Sequence, residues 1–189
     1  LRHALSSRGK GVRPLLVCLS AAMNARTAGA AGGQRVSLAA MLVEMIHTAS
    51  LIHDDVIDES DERRGKPSVN ALWQSRNAVV LGDYLLARTM SIGMESAQYD
   101  LVSHIVGSIA TLCEGEILQS QHTSEKSTTR ASYLDIIYKK TASLISVSAS
   151  AGAVSVNASR EDVEQMRRFG EALGMAFQIQ DDILDYSRS

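Results

Sequence analysis

Apolar residues recur along the chain at the three- and four-residue spacing of helices, and no stretch alternates convincingly as a half-buried strand would. The clearest run holds Leu38, Met41, Leu42, Met45 and Ile46. It predicts a helix capped by Ser37 and reaching about Asp58, roughly 30 Å long. Pro14, whose fixed φ suits a first helical turn, opens another over 15–23. Residues 28–34 form a small-residue loop, and 61–68, with Gly65 and Pro67, a charged connection. Further helices are predicted over 69–73, 78–95, 101–121 and 131–156. Ser159 and Asp162 make a capping box before a last helix, in which Val163, Met166, Phe169, Leu173 and Phe177 keep one period. The pattern predicts one all-α bundle over 1–189.

One acidic signature occurs twice: Asp54-Asp55-Val56-Ile57-Asp58 and Asp181-Asp182-Ile183-Leu184-Asp185. Each follows an apolar frame, Leu51 and Ile52 in one copy, Phe177 and Ile179 in the other. That framing puts the carboxylates at the edge of a core, where an uncompensated charge is costly. On a helix the first and last Asp of each copy share a face. Each copy also closes its predicted helix, where the macrodipole disfavours carboxylates, so stability alone does not place them there. Two such faces brought opposite one another would form a cage of hard oxygen ligands suited to Mg2+ bridging to phosphates. The face-sharing pairs are Asp54 with Asp58 and Asp181 with Asp185, and Asp55 and Asp182 lie beside them.

Composition narrows the partners. A net charge of −2 leaves no nucleic-acid footprint, and 45% hydrophobic with 21% charged residues is ordinary for a globular chain. Cys18 and Cys113 lie in apolar settings and are expected to be buried free thiols of a reducing compartment. Residues 1–13 hold no apolar core followed by a cleavage site. The uncharged stretch 141–159 is too rich in Ser, Ala and Gly for a membrane span and predicts a closely packed helix instead. A soluble, cytoplasmic protein without a span is expected.

Basic groups punctuate the chain at Lys10 and Arg13, at Arg63-Arg64-Gly65-Lys66, and at Lys139-Lys140-Thr141. Singly, each would be a solvated surface group of little energetic weight. Beside carboxylate cages they suit a small, highly anionic ligand, because Arg presents a planar fork to phosphate oxygens. His47 lies two turns before Asp54, on nearly the same face.

These motifs, in this order, resemble the trans-isoprenyl (polyprenyl) diphosphate synthase family. The resemblance runs through Gly9-Lys10-Gly11-Val12-Arg13-Pro14, Glu44-Met45-Ile46-His47, Leu51-Ile52-His53, Arg63-Arg64-Gly65 and Gly82-Asp83. It continues through Gly115-Glu116-Ile117-Leu118-Gln119, Lys140-Thr141 and Phe177-Gln178-Ile179-Gln180-Asp181-Asp182. Gly11 stands where family members usually carry Arg, and Arg8 where the first Gly of that motif falls. The resemblance implies a helical bundle around a central cavity, a chain incomplete at both ends, and a homodimer. It also implies Mg2+-dependent transfer of an allylic group to isopentenyl diphosphate. Lys10, Arg13, His47 and Arg64 would hold the isopentenyl diphosphate; Arg63, Lys140, Thr141 and Gln178 would contact the allylic diphosphate. By the same resemblance Asp54, Asp58 and Asp181 would bind Mg2+, with Asp55, Asp182 and Asp185 as further catalytic candidates.

Small Ala49 and Ser50, one turn before Asp54, would leave the tail's path open toward Met45, Ile46 and Met41. A long-chain product, such as a quinone side chain, is therefore expected. The alternatives are a short-chain (geranylgeranyl or farnesyl) synthase, a terpene cyclase, a non-catalytic partner subunit and a metal-dependent interaction module. The second aspartate motif argues against a cyclase, two intact motifs against the partner subunit, and the phosphate-clamp residues against a module without turnover.

Overall fold

The computed structural model describes residues 10–26, 32–63, 65–125 and 129–187. Its elements are α1 (Val12–Asn24), α2 (Gln34–Ile57), β1 (Glu62–Arg63), β2 (Lys66–Pro67), α3 (Val69–Glu95), α4 (Tyr99–Glu125) and α5 (Arg130–Ile137). A π-helical turn (Tyr138–Ala142), α6 (Ser143–Ser155) and α7 (Arg160–Tyr186) complete the chain. Arg8, Gly9, Arg64 and most of the small-residue loop lie outside the described residues.

The all-α expectation holds, with local differences. α2 opens at Gly33 rather than Ser37. The two helices expected over 69–73 and 78–95 are both present and join in α3 across a kink at Gln74, whose φ of 65° breaks the helical path. The charged connection contains a short antiparallel hairpin that pairs Glu62 with Pro67 and Arg63 with Lys66. Gly65 turns it with a φ of 73°. Ser68 then caps α3, its hydroxyl accepting from the Ala71 amide at 2.9 Å. The helix expected over 131–156 is continuous but carries the π-helical turn inside it.

α6 is the centre of the packing. Its face-to-face approach on both sides rests on small residues, as its composition predicts. Ser148 and Ser150 donate back to the carbonyls of Leu144 and Ser146 at 2.6 and 3.0 Å, so their burial leaves no hydroxyl unsatisfied. α1 and α7 flank α6, while Leu42, Ile46, Leu101, Ile105 and Leu144 fill the core between α2, α4 and α6. Each such buried aliphatic side chain contributes about 1.5–3 kcal/mol. By length and composition alone, α2 and the stretch Tyr99–Thr123 of α4 could cross a membrane; in this fold both supply core residues.

α7 does not pack through the aromatic positions of its apolar period. Phe169, Leu173 and Phe177 are exposed, and the buried residues are Gly170 and Gly174. A Cβ on Gly174 would come within 2.5 Å of the Ala142 Cα, so glycine is what lets α7 lie directly on the π-helical turn. Cys18 and Cys113 are free thiols, as expected, but both are exposed rather than buried. Cys18 shares the outer side of α1 with Leu15 and Leu19, which are also exposed, whereas Cys113 faces a cavity.

Candidate active site

The C-terminal turns of α2 carry the first acidic cluster to the wall of a cavity of about 380 Å³. Ser50, His53 and Asp54 line it from α2, Val79 and Asp83 from α3, and Leu112, Cys113, Glu116 and Ile117 from α4. Most of this wall is apolar; Asp54, Glu116 and Lys140 interact within it, and Asp83 lies beside His53. Burial is the main reason that Asp54 holds its proton up to about pH 6, and Glu116 adds to it, against the pull of Lys140 and Arg63. A carboxylate in that state gains from any nearby cation.

Lys140 is that site's cation. Its Nζ lies 2.9 Å from Glu116, and it lines both this cavity and a second one of about 310 Å³. Two local features put it there. The π-helical turn inserts an extra residue per turn, a device frequent at functional sites, so that Lys140 reaches α4 while Thr141 reaches α7. Gly115 lets α4 approach this turn, since a Cβ there would meet the Lys140 amide nitrogen at 2.8 Å.

The second cavity is lined by Gln119, His122, Tyr133, Thr141, Gln178 and Asp182, among others. Thr141 Oγ1 donates to Gln178 Oε1 at 2.7 Å, and Gln178 Nε2 donates to Asp182 Oδ1 at 2.9 Å. Tyr133 donates its phenol proton to Asp182 Oδ2 at 2.6 Å. The two acidic clusters therefore border adjoining cavities that share Lys140. Asp58, Asp181 and Asp185 are exposed.

Asp55 has a different environment. It is buried and receives the Arg63 Nε at 2.6 Å. Burial pushes its pKa up, and Arg63 counters this. This ion pair joins α2 to the hairpin, so Arg63 is engaged within the chain. Elsewhere, Arg13 Nη1 donates to His47 Nε2 at 2.8 Å, which places the imidazole proton on Nδ1. The structure thus brings Arg13 to His47 and Lys140 to Thr141 and Gln178, with Lys10 exposed beside Gly11. Arg64 lies outside the described residues.

The two chain-length candidates separate. Ser50 lines the first cavity, but Ala49 is fully buried against Ala78, Leu81 and Leu85 of α3. The expected path also shifts: Ile46 is part of the filled core, and Met41 lines a separate cavity with Gln34, Arg35 and Leu38. The open wall is formed by Val79, Leu112 and Ile117 instead. Sequence reasoning did not single out Tyr133, and it named Glu116 and His53 within motifs without giving them a role; His53 Nε2 lies 3.3 Å from Asp83. The signal available for Glu116 was a carboxylate between Gly115 and the apolar Ile117-Leu118.

Among the described residues, no three His, Cys, Asp or Glu side chains stand close enough to hold an ion by themselves. Hard carboxylate oxygens, with Asp54 poorly solvated, nevertheless match what Mg2+ takes from a protein. That ion binds through one or two carboxylates and completes its shell with water and ligand phosphates.

A family model described as Polyprenyl synthetase matches residues 1–189. The chain is 39% identical to an all-trans-nonaprenyl-diphosphate synthase (geranyl-diphosphate specific) of Rhodobacter capsulatus, over 98% of this chain and 56% of that protein. It is 35% identical to the octaprenyl diphosphate synthase of Escherichia coli, with coverage of 98% and 56%. Among solved structures, it resembles a polyprenyl synthase from Caulobacter crescentus complexed with calcium and isoprenyl diphosphate. The TM-score is 0.89 at 36% identity, over 98% of this chain and 55% of the other. The chain thus spans little more than half the length of the relatives it matches.

Proposed function

We propose a prenyl-transfer function for this chain, which belongs to the polyprenyl synthetase family. The protein condenses an allylic diphosphate with isopentenyl diphosphate in successive head-to-tail steps, giving a long-chain all-trans polyprenyl diphosphate of the quinone side-chain type. The observation that carries this is the first cavity: an apolar wall of Val79, Leu112 and Ile117 with Asp54, Glu116 and Lys140 at one side. A ligand with an anionic head and a hydrocarbon tail matches that division.

Asp54, Asp58 and Asp181 would hold Mg2+ together with the diphosphate oxygens. When bound, the ion supplies charge neutralisation for the departing diphosphate. Lys140, Thr141 and Gln178 hold the allylic diphosphate while its carbon–oxygen bond breaks and the electron pair leaves with pyrophosphate. Lys10, Arg13, His47 and Arg64 orient isopentenyl diphosphate so that its double bond attacks the allylic carbon. A new carbon–carbon bond forms, and the proton lost from the condensed product passes to pyrophosphate. The apolar wall keeps water from the cationic carbon.

The long-chain relatives and the open apolar wall support a long product over a short one. Two exposed free thiols suit a reducing, cytoplasmic setting. A homodimer belongs to the same proposal, supported by exposed Val80, Tyr84 and Met94 along α3.

The test is incubation of the full-length protein with farnesyl diphosphate, labelled isopentenyl diphosphate and Mg2+, followed by product sizing. Linear diphosphates well beyond the geranylgeranyl length are expected, and chelation should abolish them. Cyclic hydrocarbon, or no incorporation, would overturn the proposal; arrest at geranylgeranyl diphosphate would overturn the long-chain part alone.

A further inference from the structure

Asp182 differs from the aspartates beside it. Asp181 and Asp185 lie one turn apart on α7 and are exposed, whereas Asp182 is half-buried with both oxygens engaged. The cause lies in the spacing along α7. Gly170, Gly174, Gln178 and Asp182 are each four residues apart and form one stripe of the helix. The two glycines bring that stripe onto Ser146 and Ala142. The next two positions then meet polar partners: Gln178 reaches Thr141 in the π-helical turn, and Asp182 reaches Tyr133 on α5.

We propose that Tyr133 is a positioning residue for the second acidic cluster. Its hydroxyl, with Gln178, fixes the Asp182 carboxylate toward α5 and the π-helical turn, and so sets the rotation of α7 that presents Asp181 and Asp185 to a metal-bound diphosphate. This rests on the prenyl-transfer function proposed above. The bond is a charge-assisted one at 2.6 Å, among the stronger kinds in proteins. Its hold on the proton shows in the phenol itself, whose pKa is pushed up to about 12, chiefly by the bond to Asp182. The chain Thr141–Gln178–Asp182–Tyr133 also ties α7 to the element that carries Lys140. A change at Tyr133 therefore reaches the acidic cluster and the lysine together.

Tyr133→Phe in the full-length protein removes one hydroxyl and leaves the ring in place. Two quantities are measured: thermal stabilisation as Mg2+ is titrated in the presence of pyrophosphate, and the kinetics of elongation. The Mg2+ midpoint is expected to rise about tenfold, the loss typical of one hydrogen bond to a charged group. kcat should fall while the KM for isopentenyl diphosphate stays put, and the ligand-free melting temperature should move by no more than about 2 °C. An unchanged Mg2+ midpoint overturns the inference, as does a lower melting temperature without a midpoint shift, which marks a purely structural bond. If the wild type neither elongates nor gains stability with Mg2+ and pyrophosphate, prenyl transfer itself is refuted, and the positioning role with it.

Discussion

Asp54 is held in a form that stability alone would not select. In the folded chain it keeps its proton to about pH 6, against 3.8 for a free side chain. Between these values the folded state binds a proton that the unfolded state has released, so stability falls as pH rises through the window, and the full penalty is present above it. Asp54→Asn removes that penalty. The variant should melt a few degrees above wild type near neutral pH in EDTA, with the gap closing as the pH is lowered toward 4, while its elongation activity is lost. Thermal melts across that range check this. Equal melting at every pH would mean that Asp54 bears no burial cost. Asp55 shows the contrasting solution: a buried carboxylate whose charge is met inside the chain by Arg63.

At the scale of elements, the first cavity is a matter of which face α2 turns toward α4. Ser50 lines the opening and Ala49 is packed into α3. Ser50→Phe should therefore shorten the products while the melting temperature stays within about 2 °C. Ala49→Phe overpacks the α2–α3 contact and should cost about 1–3 kcal/mol of stability. Product sizing alongside thermal melts separates the two; shorter products from the Ala49 variant alone would contradict the assigned faces. The helices themselves were legible because their apolar period is strong, as were the aspartate repeats and the small-residue helix. The packing face of α7 was not. Phe169, Leu173 and Phe177 hold the strongest period on that helix, yet Gly170 and Gly174 form the contact, because a helix of Ser and Ala accepts a glycine stripe more closely than an aromatic one. The π-helical turn was equally hidden, since the register between α4 and α7 sets it rather than any local signal. For the same reason the partners across elements, Glu116 for Lys140 and Tyr133 for Asp182, could not be paired from spacing.

At the scale of the molecule, α6 acts as a spine. α1 and α7 pack against its small residues, and the α7 contact carries the second acidic cluster to the π-helical turn that also holds Lys140. Apolar rows remain uncovered on α1 (Leu15, Leu19, Met23) and α7 (Phe169, Leu173, Phe177), in a chain that spans little more than half of its relatives. The central claim is that two acidic helix ends border adjoining cavities and together hold a metal-bound diphosphate. The most direct measurement is anomalous scattering from crystals of the full-length protein grown with Mn2+ and pyrophosphate. Metal peaks are predicted at bonding distance, about 2.1 Å, from carboxylate oxygens of both Asp54 and Asp181, with the diphosphate between them and Lys140 against it. Peaks at neither aspartate, or at one cluster alone with the other facing bulk water, would contradict the account.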